Sequence, residues 1–223
     1  MALSQEEQAY NKIKVAISKG YIKKGSKLKE VALAGSLNMS RATVKGAIKR
    51  LVFEGLAEHI PNKGVSVVSP TLEEINQTFQ VRAQLEQMAV TLAQPHLKKR
   101  DYLALRKLVE KEQGLCRERK FEGYYEVNDA FHLRIVERSF NQVLVHYVKE
   151  LLQKTTIYLV LFDPFFQLMD GRNESPNEHL EIIELLEKGD AMAAGQAMKH
   201  HLGTTVSGID LERLYPSDYL SIE

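Results

Sequence analysis

The chain has 223 residues, 44% of them hydrophobic and 26% charged, which suits a globular protein with one large core or two modest ones. Its single cysteine, Cys116, excludes an internal disulfide and fits a reducing, cytoplasmic setting. Met1–Glu7 lacks the basic and apolar stretches of a secretory signal, and no apolar run approaches the roughly 18 residues a bilayer requires, so no membrane partner is expected. The net charge of +1 hides an asymmetry: residues 1–70 hold 12 Lys and Arg against 5 Asp and Glu (+7), and residues 71–223 hold 18 against 24 (−6). A basic first third on an acidic body points to a polyanion meeting the N-terminal part.

Residues 6–19 read as a helix, with Ala9, Ile13, Ala16 and Ile17 at helical spacing and Ser4 and Glu7 placed as a capping box. Gly20 and Gly25 bracket a turn, and a short helix follows over Glu30–Leu37. Asn38-Met39-Ser40 is a tight turn, with Ser40 the N-cap of a helix over 41–54 whose apolar stripe is Val44, Ile48, Leu51 and Val52. Gly55 ends it. Two extended runs, Leu56–Ile60 and Val65–Ser69, flank the hairpin turn Pro61-Asn62-Lys63-Gly64. Ser69-Pro70-Thr71 marks the expected boundary between a domain at 1–69 and one at 70–223. Beyond it the pattern is helical: 71–94, 100–119, 122–138, 141–162, 175–188 and 190–210. Pro95, Gly123, Pro164, Gly171, Pro176 and Gly189 punctuate the series, and Tyr215-Pro216 belongs to a C-terminal tail.

The expected fold is therefore mainly α: an N-terminal winged helix-turn-helix with a two-stranded wing, then an all-α helical bundle. The first part suits DNA, because the major groove admits one α-helix led by its N-terminus. That end carries Ser40, Arg41 and Thr43, with Lys45 and Lys49 one and two turns on. Arg can pair with guanine O6 and N7, while Ser, Thr and Lys hold phosphates. At the wing tip Lys63 can reach a phosphate or the minor groove, and Gly64 lets the backbone come close.

Leu28–Ala34, Leu37–Lys45, Leu51–Leu56 and Pro61–Val65 together resemble the winged helix of the GntR family over about residues 6–69. The family pattern Ser-Arg-x-Pro-Val-Arg-Glu-Ala-Leu stands here as Ser40-Arg41-Ala42-Thr43-Val44-Lys45-Gly46-Ala47-Ile48. Thr43 replaces the Pro, and Lys45 replaces an Arg that it cannot match in bidentate readout. Gly46 inside a helix costs about 1 kcal/mol relative to Ala. The resemblance implies a DNA-binding regulator whose operator differs from the usual one.

In the second part Phe121, Tyr125, Asn128, His132 and Ile135 recur at threes and fours, which turns Asn128 and His132 to one inward face. His179 shares a stripe with Ile182, Ile183 and Leu186, and His201 one with Ala194, Ala197 and Met198. Three inward histidines from three helices can converge in a bundle core, and imidazole suits Zn, Ni, Cu or Fe. His200, next along the chain, points about 100° away. Arg82 falls on an inward face with Ile75, Phe79 and Leu85. A buried Arg needs a partner, either an effector carboxylate or a buried acid of the protein.

The order Val81-Arg82-x-x-Leu85-Glu86, Asn128-x-x-Phe131-His132, Asn141, Glu178-His179-x-x-Ile182, Gly189-Asp190-Ala191 and Met198-x-x-His201-Leu202 resembles the FCD effector domain of the FadR-type branch of the GntR superfamily. Carried over, the resemblance implies metal ligands at Asn128, His132, His179 and His201, with a divalent ion such as Zn or Ni. A neutral amide at 128 is a weaker ligand than the carboxylate often found there. The resemblance further implies an inverted-repeat operator, a homodimer, a small carboxylate effector at the metal and Arg82, and repression as the default sign. A metal-dependent enzyme and a direct metal sensor are the alternatives for a three-His site. The enzyme reading leaves the basic winged helix without a role and finds only Glu178 in sequence beside the histidines as a general base.

Overall fold

The computed structural model describes residues 3–118, 120, 123–162 and 174–209. Phe121, Pro164, Gly171 and the Tyr215-Pro216 tail lie outside the described residues, as does the last residue of the helix expected over 190–210. Among the described residues, those up to Thr71 with Ile157–Phe162 form one compact unit, and Leu72–Thr156 with those beyond Phe162 form the other.

In the first unit α1 (Gln5–Ser18) starts at Ser4, whose hydroxyl accepts from the Glu7 N–H at 3.1 Å. Its buried face is Ala9, Tyr10, Ile13 and Ile17, so Tyr10 takes the place expected for the half-buried Ala16. α2 (Glu30–Leu37) ends at Asn38 in the left-handed region, φ 53°, which Asn tolerates better than most residues. The chain then enters α3 (Arg41–Phe53), where the Ser40 hydroxyl accepts from the Thr43 N–H at 3.1 Å. Val44, Ala47, Ile48 and Leu51 are buried, and Val52 is half-buried, so Ala47 carries the stripe position assigned to Val52. β1 (Ala57–Ile60) pairs antiparallel with β2 (Gly64–Val67), Ala57 opposite Val67 and Ile60 opposite Gly64. The turn between them needs positive φ at Asn62 (61°) and Gly64 (86°). Lys27 bridges Ser66 at the edge of the hairpin. This is a winged helix-turn-helix with a two-stranded wing.

From Leu72 on, the described residues are helical: α4 (Leu72–Ala93), a 3₁₀ turn at Gln94–His96, α5 (Lys99–Arg117), α6 (Tyr124–Glu137), α7 (Gln142–Phe162, whose last six residues belong to the first unit), α8 (Ser175–Glu187) and α9 (Ala191–Ser207). Capping explains several starts. Asp101 accepts from the Lys98 N–H at 3.1 Å, Asn141 from Leu144 at 3.1 Å and Asp190 from Ala193 at 2.9 Å. α9 lies along α4 and α8, α5 packs on α6 and α8, and α4 packs on α6. The main core includes Val90, Leu105, Val109, Phe131, Ile135, Ile182, Ile183, Leu186 and Met198. A second cluster joins Ala89 and Val136 to Leu144, Val145, Val148 and Leu152 of α7. The packing turns the inner faces of α6, α8 and α9 toward one another, which is what positions the histidines. No helix among the described residues is long and apolar enough to cross a membrane.

Candidate functional site

His132 on α6, His179 on α8 and His201 on α9 are all buried, at 0%, 0% and 2% exposure. One ring nitrogen from each lies within 4.8 Å of the others, and the Nε2 atoms of His179 and His201 are 3.2 Å apart. Each Nδ1 meets a glutamate: His132 with Glu86 at 2.6 Å, His179 with Glu112 at 2.8 Å and His201 with Glu178 at 2.7 Å. An ionised carboxylate only accepts, so each Nδ1 donates its hydrogen, and a ring that carries no second proton turns a lone pair outward at Nε2. Nε2 of His132 is buried with no hydrogen-bond partner among the described residues. Two nitrogen lone pairs 3.2 Å apart repel unless a proton or cation lies between them. A metal-bound His likewise donates its second ring N–H to a carboxylate, which fixes ring and tautomer. The donor set therefore fits a divalent metal.

The electrostatics agree. Burial alone raises the Glu86 carboxyl, but Arg82 and His132 outweigh it and leave it at about 2. Burial pushes His132 down to about 3, against the pull of Glu86. Burial, then the neighbouring His179, lowers His201, while Glu178 opposes. Glu112 and Glu178 sit below the usual carboxylate range, because hydrogen bonds from His179 and His201 outweigh the cost of burial. His132 and His201 are thus kept neutral beside ionised glutamates, the state in which imidazole binds a metal.

Arg82, 1% exposed, donates from Nε to Glu86 at 2.6 Å and from Nη1 to Thr155 at 2.8 Å. The protein thus supplies the buried acid that sequence reasoning left as one of two options. Arg82 Nη2 is still buried and without a partner among the described residues. Asn128 is buried one turn before His132, yet its recorded hydrogen bond runs to Asp129 at 3.4 Å and not to a histidine. Asp129 accepts from Thr156 at 2.9 and 3.0 Å, and burial raises its carboxyl. His200 is exposed, as its helical phase requires.

Sequence reasoning named Glu86 only within a motif and Glu178 only as a neighbour, without the role either takes here, and missed Glu112 altogether. Glu86 carried a usable signal, standing one turn after Arg82 on the same inward face. Glu112 continues the buried Leu105 and Val109 spacing on α5, where a lone acid reads as a solvated residue until the fold closes.

On α3, Arg41, Lys45 and Lys49 are exposed along one face. Among the described residues, the ion pair of Arg41 is a 4.0 Å contact to Glu30. Ser40 and Thr43 bond each other through their hydroxyls at 2.8 Å and serve the cap. Lys63 is exposed at the wing tip, and a Cβ at Gly64 would meet nothing within 4 Å, so its positive φ accounts for the glycine.

An exposed basic helix led by an N-cap, followed by a wing and then by a helical domain with a buried polar centre, is the architecture of a DNA-binding regulator. The family model for bacterial regulatory proteins of the gntR family matches residues 5–67, and that for the FCD domain matches residues 77–204. The chain is 28% identical over 196 residues to the HTH-type transcriptional regulator YdhC of Bacillus subtilis (strain 168), covering 87% of this chain and 86% of that one. It is 31% identical over 144 residues to the HTH-type transcriptional regulator McbR of Escherichia coli (strain K12), covering 65% of each. Its fold is similar to the solved structure of E. coli McbR/YncC, with a TM-score of 0.66 and 24% identity over 92% of this chain and 97% of that one. The chain belongs to the GntR family of DNA-binding transcriptional regulators, in the branch that carries an FCD domain.

Proposed function

We propose that this regulator is a cytoplasmic homodimeric repressor that binds an inverted-repeat operator and is switched by a small carboxylate at a divalent metal centre. The observation that carries the reading is the histidine cluster, with its glutamate-anchored Nδ1 atoms and unpartnered His132 Nε2. His132, His179 and His201 would hold the ion, with Zn or Ni the best match to imidazole. Asn128 is the proposed fourth protein ligand. The bound ion would supply a Lewis-acid anchor for a carboxylate, and Arg82 Nη2 a hydrogen-bond donor for the same anion. Glu86, Glu112 and Glu178 are each engaged by an imidazole, so none of the three is free to serve as a general base, which favours a binding site over a hydrolytic one that relies on such a base. In the domain at 1–69, Ser40, Arg41, Thr43, Lys45, Lys49, Lys63 and Gly64 form the proposed operator surface. The domain at 70–223 senses the effector and shifts the winged helices between DNA-competent and incompetent states.

The test is metal content of purified protein before and after a chelator wash, with thermal midpoints in Zn, Ni and small carboxylic acids. Near-stoichiometric metal, lost in His132→Ala, is expected. Acid-dependent stabilisation is expected only with metal present. No bound metal and no response to Zn or Ni would overturn the metal centre. Metal-dependent operator binding that ignores every carboxylic acid would favour the direct sensor.

A further inference from the structure

Five of the twelve cations in residues 1–70 fall within Lys19–Lys29, a stretch that holds no acid, and the proposed operator surface uses none of them. Lys23, Lys27 and Lys29 are exposed, and none of the three makes an ion pair among the described residues. The backbone shows where the last two stand. The Gly25 N–H donates to the Val67 carbonyl at 3.0 Å, the Val67 N–H to the Ser26 carbonyl at 3.0 Å and the Leu28 N–H to the Val65 carbonyl at 2.9 Å. This segment therefore runs antiparallel along the edge of β2 that β1 leaves free, with Lys27 opposite Ser66. Side chains alternate along an extended chain, so the buried Leu28 turns inward while Lys27 and Lys29 turn outward. Two residues beyond Lys27, the same register brings Lys29 level with Gly64 at the wing tip. The next residue, Glu30, stands 4.0 Å from Arg41 at the start of α3. Lys29 thus lies between the wing tip and the leading end of α3. Local stability gives no reason for a lysine there. Lys29 is the N-cap of α2 and its side chain makes no capping bond. Ser, Thr, Asp or Asn would cap the helix, and a cation is disfavoured at that end. A residue that breaks a local rule without a local gain points to function.

We propose that Lys27 and Lys29 clamp the sugar–phosphate strand that passes between α3 and the wing, a backbone contact outside the operator surface named above. In B-DNA the major and minor grooves are separated by one phosphate strand. A protein with α3 in the major groove and its wing tip at the neighbouring minor groove must straddle that strand. Whatever lies between helix and wing meets phosphates there. A lysine is a point charge on a flexible stem, so it holds a phosphate and fixes register without reading a base. The inference rests on the operator reading of α3 and the wing, and adds the contact that sets the two against the duplex.

The experiment is the salt dependence of binding by the full chain to two labelled duplexes, one selected by the wild type from random DNA and one with the same bases scrambled. A lysine on a phosphate contributes about one to the slope of log K against log salt. Lys27→Ala/Lys29→Ala should therefore make the slope shallower by about two on both duplexes, with the ratio of the two affinities unchanged. Lys27→Arg/Lys29→Arg keeps both charges and should keep the wild-type slope. Lys107→Ala/Lys111→Ala removes the same charge from exposed positions on α5 and should keep it too. Thermal midpoints should match the wild type in each case, because all four lysines are exposed. An unchanged slope in Lys27→Ala/Lys29→Ala would overturn the clamp. So would an equal loss in the α5 variant, which would assign the effect to the net charge of the chain. A changed affinity ratio would overturn the backbone role, since the lysines would then be reading bases. Arg41→Ala separates the two readings. If it abolishes selection while the Lys27→Ala/Lys29→Ala slope stays at the wild-type value, this inference alone is sunk. If the wild type enriches no sequence, the operator reading falls and the clamp falls with it.

Discussion

Arg41, Lys45 and Lys49 stand in solvent along one side of α3, whereas His132, His179 and His201 are sealed among apolar side chains with a glutamate on each Nδ1. Exposed cations gain from a polyanion at no desolvation cost to the free protein, so each can be removed without unfolding its unit. The buried set is coupled. Glu86 holds both Arg82 and His132, so losing one member strands the others without water. A mutation on α3 should therefore be read in binding and not in stability. One in the bundle centre should be read in both.

The largest effect is expected at Glu86. Glu86→Ala leaves the Arg82 guanidinium buried without its anion and should lower unfolding free energy by about 3–5 kcal/mol in a urea titration. Replacing Arg82 and Glu86 together by Met should cost clearly less than Glu86→Ala, because no orphan charge remains. If the double variant is the less stable, the pair is not what keeps the buried arginine tolerable. On the exposed side, Arg41→Ala should weaken operator binding by about 1–3 kcal/mol, roughly five- to 150-fold. Its thermal midpoint should barely move, since Arg41 is exposed and its ion contact among the described residues is a distant one. Anisotropy with labelled operator decides this, and unchanged affinity would remove α3 as the reading helix.

Glu112→Gln probes the boundary between the two kinds of site. It keeps the shape of the residue but replaces the carboxylate that His179 donates to at 2.8 Å. Metal affinity should fall about 10–100-fold, by competition with a chromophoric chelator. Affinity equal to wild type would mean that the glutamates pack the histidines without tuning them.

The legibility of the two regions differs for the same physical reason. Ser40, the Asn38 turn, the α3 helix and the wing are written in local chemistry: a cap, a left-handed residue, a 3.6-residue stripe and a turn with positive φ. Local rules therefore located them within a residue or two. The histidines were legible because each shares a helical stripe with neighbouring apolar residues. Their glutamates were not, since Glu86 and His132 lie 46 residues apart and Glu112 and His179 67 apart. An acid's partner across that distance is fixed by tertiary packing, which no periodicity encodes.

The smallest effect is expected at Gly46, one of the positions where the winged helix departs from the family pattern. Glycine within a helix costs about 1 kcal/mol relative to alanine, so Gly46→Ala ought to stabilise α3 by that amount. A Cβ at 46, however, would run into the carboxylate of Glu6 on α1. That carboxylate is the end of an exposed, flexible side chain, so it can swing away at some cost instead of blocking the methyl group. Gly46→Ala alone should therefore gain clearly less than about 1 kcal/mol, and the full gain should return in Glu6→Ala/Gly46→Ala measured against Glu6→Ala. Equal gains in both backgrounds would mean that Glu6 does not lean on Gly46 in solution. Operator affinity should stay level throughout, because neither substitution removes Arg41, Lys45 or Lys49 from the exposed side of α3.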